Sequence, residues 1–237
     1  MASCRHRLVG AGSEIFEARD LQRQPNEGVI LGATQRTVEV VRAMAAAMEE
    51  HRAHLTKLDS EIGDGDHGTN MHRGFQATLE RLETAEPATP ADVLKAVSMA
   101  LIGKVGGAAG PLYGTAFLRA STTLADKEDI SAEDAAAALQ AALDGVKQRG
   151  KAEVGDKTMI DALKPAAEAA TNAGGSLAEV FRAAADAAKG GAESTVEMTA
   201  RRGRASYLGA RAVGHMDPGA HSSYLLLDAA ARTLESA

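Results

Sequence analysis

Residues 34–58 read TQRTVEVVRAMAAAMEEHRAHLTKL, with Val38, Val41, Met44, Met48, Leu55 and Leu58 at spacings of three, four or seven. That spacing puts every apolar side chain on one face of a helix and none on the alternating faces of a strand. The pattern repeats down the chain, each time behind a start signal. Thr89-Pro90-Ala91-Asp92 precedes Val93, Val97 and Leu101. Ser131-Ala132-Glu133-Asp134 precedes Leu139, Leu143 and Val146. Ser176-Leu177-Ala178-Glu179 precedes Val180, Phe181 and Ala184. A hydroxyl residue followed three positions later by an acid is a capping box, and Pro is favoured at the first helical position. Pro218 can open a last helix through Tyr224, Leu227 and Leu234. The glycine pairs Gly174-Gly175 and Gly190-Gly191 read as turns between helices. The expected fold is therefore all-α, with about eight helices and no strand alternation.

Composition agrees. Of 237 residues, 45% are apolar but only 3% aromatic, and Trp is absent. Alanine-rich segments such as 135–142 and 183–188 keep helical periodicity and suit closely packed helices. The formal net charge of −6 argues against nucleic acid as a partner. No stretch approaches the ~20 apolar residues of a membrane span. The basic N-terminus lacks an apolar core of the signal-peptide kind, and Cys4 is the sole cysteine. These features lead us to expect a cytoplasmic protein. Residues 1–30 are polar and irregular and read as a loosely ordered extension; 31–237 read as a single domain.

The most informative segment is 58–70, LDSEIGDGDHGTN, where Asp59, Glu61, Asp64 and Asp66 place four acids within eight residues, interleaved with Gly63, Gly65 and Gly68. Glycines let a short loop turn its carboxylates toward one point. Left alone they would repel one another, and a hard divalent cation relieves this. The EF-hand pattern fails, because position 5 counted from Asp59 is Gly63 and position 12 is Asn70. Zinc motifs fail as well, His67 and His72 being five apart. Magnesium completed by phosphate oxygens fits best.

Three further segments have the chemistry to meet phosphate or a base. Residues 103–114, GKVGGAAGPLYG, join a glycine-rich run to a helix start near Pro111. A helix start attracts anions, although a plain turn reads the same way. Arg201, Arg202 and Arg204 could clamp phosphate or form a solvated face. In 155–159, GDKTM, Lys157 offers a cation and Met159 an apolar platform for adenine.

Together these segments resemble the nucleotide-binding L subunit, the DAK2-type domain, of dihydroxyacetone kinases. The matching stretches are 58–75 (LDSEIGDGDHGTNMHRGF), 106–117 (GGAAGPLYGTAF), 149–159 (RGKAEVGDKTM) and 203–219 (GRASYLGARAVGHMDPG), in family order. The resemblance implies a barrel of antiparallel helices with ADP or ATP at one end. It assigns Asp59, Asp64 and Asp66 to two magnesium ions and leaves Glu61 out. It puts His67, Gly68, Thr69 and Asn70 along the phosphates, and Ala108 and Ala109 at the glycine-rich loop. It places Leu112, Gly150 and Met159 beside adenine or ribose, with Arg204, Asp217, Pro218 and Gly219 closing the site. Ala109 departs from the family, where Ser is common; a hydroxyl contact worth ~1 kcal/mol is lost.

The implied chemistry is phosphoryl transfer to a small ketose held on a partner K subunit, so the isolated chain is expected to have negligible kinase activity. The donor is either exchanging ATP or tightly held ADP recharged by a phosphohistidine protein of the phosphoenolpyruvate phosphotransferase system. A homodimer is a further expectation. The alternative from another class is a nucleotide-sensing subunit that docks on a transcription regulator.

Overall fold

Each capping box forms as the sequence predicts. In the computed structural model, which describes residues 32–237, Thr89, Ser131 and Ser176 accept from Asp92 N, Asp134 N and Glu179 N, and the acids bond back to the cap N–H groups. They open α4 (Pro90–Lys104), α6 (Ala132–Gly150) and α8 (Leu177–Ser194). The remaining helices are α1 (Ala33–Glu50), α2 (Arg52–Ile62), α3 (His67–Ala85), α5 (Ala109–Thr123), α7 (Ile160–Ala173) and α9 (Pro218–Glu235). Two 3-10 segments, Thr195–Glu197 and Arg204–Ala212, lie between α8 and α9. No strand occurs among the described residues, and no helix there is long and apolar enough to cross a membrane. The extension expected at residues 1–30 lies outside the described residues.

From α3 onward each helix packs on the next, and α9 returns to α1, so the helices close into a ring. α1 and α2 run end to end through a bend at His51 and together act as one stave, which gives eight staves. Links that are short, apart from the one between α8 and α9, turn successive helices back on one another. The apolar faces point inward: Val41, Met48, Phe75, Val97, Leu143 and Ile160 are all at most 1% exposed. Between them the ring leaves an apolar chamber of ≈160 Å3, lined by Val40, Met44, Phe117, Leu163, Phe181 and Leu226 among others.

Two readings are corrected. Gly190-Gly191 is no turn, because α8 runs through it. A Cβ on Gly191 would stand 2.1 Å from the Asp161 carbonyl oxygen, so the missing side chain lets α8 lie directly on α7. That carbonyl has no helical donor, since its partner position i+4 is Pro165. The helix expected near Pro111 begins earlier, at Ala109. Gly174-Gly175 does turn the chain, with φ of 61° and 79°.

Candidate functional site

In an up-and-down ring, alternate connections fall at the same end. The four links α2–α3, α4–α5, α6–α7 and α8–α9 therefore share one end, and each carries one of the four sequence segments singled out above. The three capping boxes all stand at the opposite end. At the shared end, α3 starts behind Asp66 and α5 behind Ala108 with no side-chain cap. Their first-turn N–H groups have no intrahelical acceptor and attract an anion.

These links enclose a cavity of ≈190 Å3. Its lining includes Asp59, Asp64, Asp66, His67, Asn70, Ala108, Ala109, Leu112, Met159, Arg204, Asp217, Pro218 and Gly219. Three expected residues do not line it. Gly68 is buried against α2, where a Cβ would meet the Arg52 carbonyl at 2.1 Å. Thr69 faces solvent one position further along the first turn. Gly150 ends α6 behind Leu112, whose Cδ2 would lie 3.1 Å from an added Cβ. Lining residues that the sequence gave no individual role are Ile62, Gly106, Gly107, Tyr113, Thr158, Gly203 and Ala205. Most fall inside the quoted segments, but nothing local in the sequence marks Tyr113 as part of a site.

Asp59, Asp64 and Asp66 each offer a carboxylate oxygen, and all three oxygens lie within 4.8 Å of one another. The local cause is legible. Asp59, on the last turn of α2 and 8% exposed, accepts hydrogen bonds from Asp66 N (2.8 Å) and His67 N (3.1 Å) through Oδ2. That folds the loop back over its own helix. Gly63 makes room, since a Cβ there would sit 2.1 Å from Asp59 Oδ1, and Gly65 takes φ 72°. An all-oxygen set of clustered carboxylates suits a hard cation such as Mg2+. Arg204 approaches Asp64 at 2.9 Å from the opposite wall. His215 meets Glu61 at 3.0 Å, and Glu61 is not one of the three clustered acids.

The floor of the cavity is a hydrogen-bonded knot. His67 Nε2 pairs with Ser222 Oγ at 2.8 Å, and the Tyr113 hydroxyl reaches Ser222 Oγ (2.7 Å), Ser223 Oγ (2.9 Å) and the Gly219 carbonyl (2.9 Å). Burial lowers the pKa of His67, against the pull of Asp59 and Asp66, and raises that of Tyr113. Both are thus uncharged, and the knot ties α3, α5 and α9 together. Tyr113 and Met159 also face the apolar chamber, so they form the partition between it and the cavity.

The DAK2 domain family matches residues 61–232. The chain belongs to the DAK2 domain family. Among curated DAK2 relatives, the PEP-dependent dihydroxyacetone kinase 2 ADP-binding subunit DhaL of Listeria innocua is 41% identical over 202 residues, covering 84% of this chain and 94% of that protein. The corresponding Escherichia coli subunit is 43% identical, with 73% and 84% covered. Among solved structures, the dihydroxyacetone kinase of C. freundii in complex with AMP-PNP and Mg2+ superposes with a TM-score of 0.66 at 26% identity. That match covers 98% of this chain and 38% of the longer enzyme.

Asp217, in the last segment lining the cavity, is half-buried and caps α9 through Ala220 N at 2.7 Å. Burial pushes its carboxyl up to about 7; Asp161 and Asp59 add to this, while the Ala220 N–H and Lys157 oppose it. The unfolded chain releases this proton near the ordinary value of 3.8, whereas the fold keeps it until about 7. Stability of the ligand-free protein should therefore fall as pH rises through that window. Asn caps as well as Asp and carries no charge. Asp217→Asn is expected to raise the melting temperature at pH 8 and to leave it unchanged near pH 4, as measured by calorimetry in magnesium-free buffer.

Proposed function

We propose that this chain is the ADP/ATP-binding subunit of a dihydroxyacetone kinase, and that it delivers a phosphoryl group to a small ketose held on a partner K subunit. The observation that carries the reading is the pairing, around one cavity, of two helix starts that lack a cap from their own N-cap side chains with three clustered aspartates. A polyphosphate satisfies both. Its oxygens accept from first-turn N–H groups of α3 and α5 other than His67 N, which Asp59 holds, and its charge needs the cations that the carboxylates attract.

Two magnesium ions are proposed because magnesium usually takes only one or two carboxylates beside substrate phosphates, and three stand here. Bound magnesium would neutralise charge on the phosphates. Asp59 holds the loop through its two backbone hydrogen bonds while leaving an oxygen toward the cluster. Asn70, Ala108 and Ala109 meet the phosphates, with Gly68 and Thr69 contributing first-turn N–H groups. Leu112 and Met159 give the apolar wall that a purine ring needs, with Gly150 behind it. Arg204 is placed to move from Asp64 to a phosphate oxygen, and Asp217, Pro218 and Gly219 close the far side. Phosphoryl transfer of this kind depends on positioning and charge more than on a protein nucleophile. The bacterial relatives, ADP-binding subunits of PEP-dependent kinases, favour ADP as the resident nucleotide, with a phosphohistidine protein as its donor.

The test is reconstitution. The purified chain with ATP, magnesium and dihydroxyacetone should give no turnover, and addition of a K-type subunit should restore it with ATP or with a phosphohistidine donor. Turnover by the chain alone, or none with either donor once the K-type subunit is present, would overturn the reading.

A further inference from the structure

The last wall of the cavity is a long excursion of the chain. It leaves α8 at Thr195–Glu197 and runs through 198–214, carrying Arg202, Gly203, Arg204 and Ala205 to the cavity, and it returns at His215 to enter α9. Its two feet are adjacent, with Gly214 N donating to the Val196 carbonyl at 2.8 Å and Asp217 N to Thr195 Oγ1 at 2.9 Å. The ammonium of Lys157 is driven between them. It donates to the Thr195 carbonyl at 2.5 Å, to Val196 at 3.4 Å and to the His215 carbonyl at 2.5 Å, so it touches both feet at once.

Lys157 is an unusual residue in three respects. It is 1% exposed, it has no carboxylate in direct contact among the described residues, and its backbone is left-handed with φ 62°. A lysine is almost never fully buried without a partner charge. A left-handed conformation in a residue other than glycine persists where its surroundings over-determine it. Those surroundings are visible. Asp161, on the first turn of α7, accepts from Gly155 N at 2.6 Å and Thr158 N at 2.8 Å, fixing the residues on both sides of Lys157. The neighbouring Asp156 carbonyl accepts from Arg201 N inside the strap at 3.0 Å.

We propose that Lys157 is a positioning residue: its buried ammonium ties both feet of the strap 198–214 to the α6–α7 link and so sets how long a nucleotide stays in the cavity. This rests on the nucleotide reading above. Lys157 borders the cavity, but its ammonium donates to the carbonyls of the strap's feet, and it acts through the strap residues that line the cavity. A clamp of this kind slows release far more than it alters encounter.

The test uses the full chain and its Lys157→Met variant, which keeps side-chain length and removes the donors. Stopped-flow release of N-methylanthraniloyl-ADP, chased with ADP in magnesium, should be about tenfold faster in the variant, with association changed less than about threefold. Hydrogen exchange should quicken at Gly214 and Asp217 while the helices keep their protection. A folded variant that releases the probe at the parent rate overturns the inference. If the parent protein binds no labelled ADP, the nucleotide reading falls, and exchange alone judges the clamp. Should Lys157→Met not fold, the same amides are followed in the parent protein. Helix-like protection of Gly214 and Asp217 supports the clamp; exchange as fast as that of Tyr207 and Gly209 overturns it.

Discussion

Asp64→Ala is expected to weaken magnesium-dependent ADP binding by at least about 100-fold, because altering even the residues behind a metal ligand typically loses 10- to 100-fold. The same change should leave the ligand-free fold within about 1 kcal/mol of the parent. Asp64 is exposed, and its partner is Arg204, itself largely exposed, at 2.9 Å. Exposed ion pairs contribute little to stability. Asp59 differs, because it is buried and holds two backbone N–H groups. Asp59→Ala should destabilise the fold by about 2 kcal/mol as well as remove binding, since it orphans those donors. Calorimetric titrations with and without magnesium separate the effects. Without magnesium, Asp64→Ala should bind ADP no more weakly than the parent, because one repelling carboxylate is gone. Equal affinities of the two proteins in magnesium would remove the metal from the site.

The second large effect comes from adjacent glycines that respond oppositely. A Cβ added at Gly190 would have nothing within 4 Å, whereas at Gly191 it would lie 2.1 Å from Asp161 O and 2.9 Å from Ala162 Cα. Gly190→Ala should stabilise the protein by about 0.5–1 kcal/mol through helix propensity. Gly191→Ala gains the same propensity but forces α7 and α8 apart, and overpacking of that kind costs about 1–3 kcal/mol or more. The atoms met are backbone, which cannot rotate aside, so a net loss of about 2 kcal/mol is expected. The damage should reach the site, because the Asp161 carboxylate holds Gly155 N and Thr158 N. Chemical denaturation of both variants, with ADP titrations alongside, checks the signs. Stabilisation by Gly191→Ala would contradict the contact.

Much of the cavity was legible because its chemistry is local. Asp59, Gly63, Gly65, Asp64 and Asp66 lie within one short loop, so glycine freedom and carboxylate repulsion alone point to a cation. Gly191 was misread for the converse reason. A glycine pair looks like a turn until one knows that a facing helix has a carbonyl freed by Pro165 and needs the space. Tyr113 escaped notice because its partners Gly219, Ser222 and Ser223 are about a hundred residues away.

By itself the sequence determined the helices, through apolar spacing and three capping boxes, and it determined the carboxylate loop, through residues that interact within a turn or two of each other. Tertiary structure decided which helix starts would stay uncapped around a common cavity, which glycines serve as contacts, and where the buried ammonium of Lys157 would find its carbonyls. Those outcomes depend on groups distant in the chain meeting across the ring, and a meeting of that kind leaves no periodicity in the sequence.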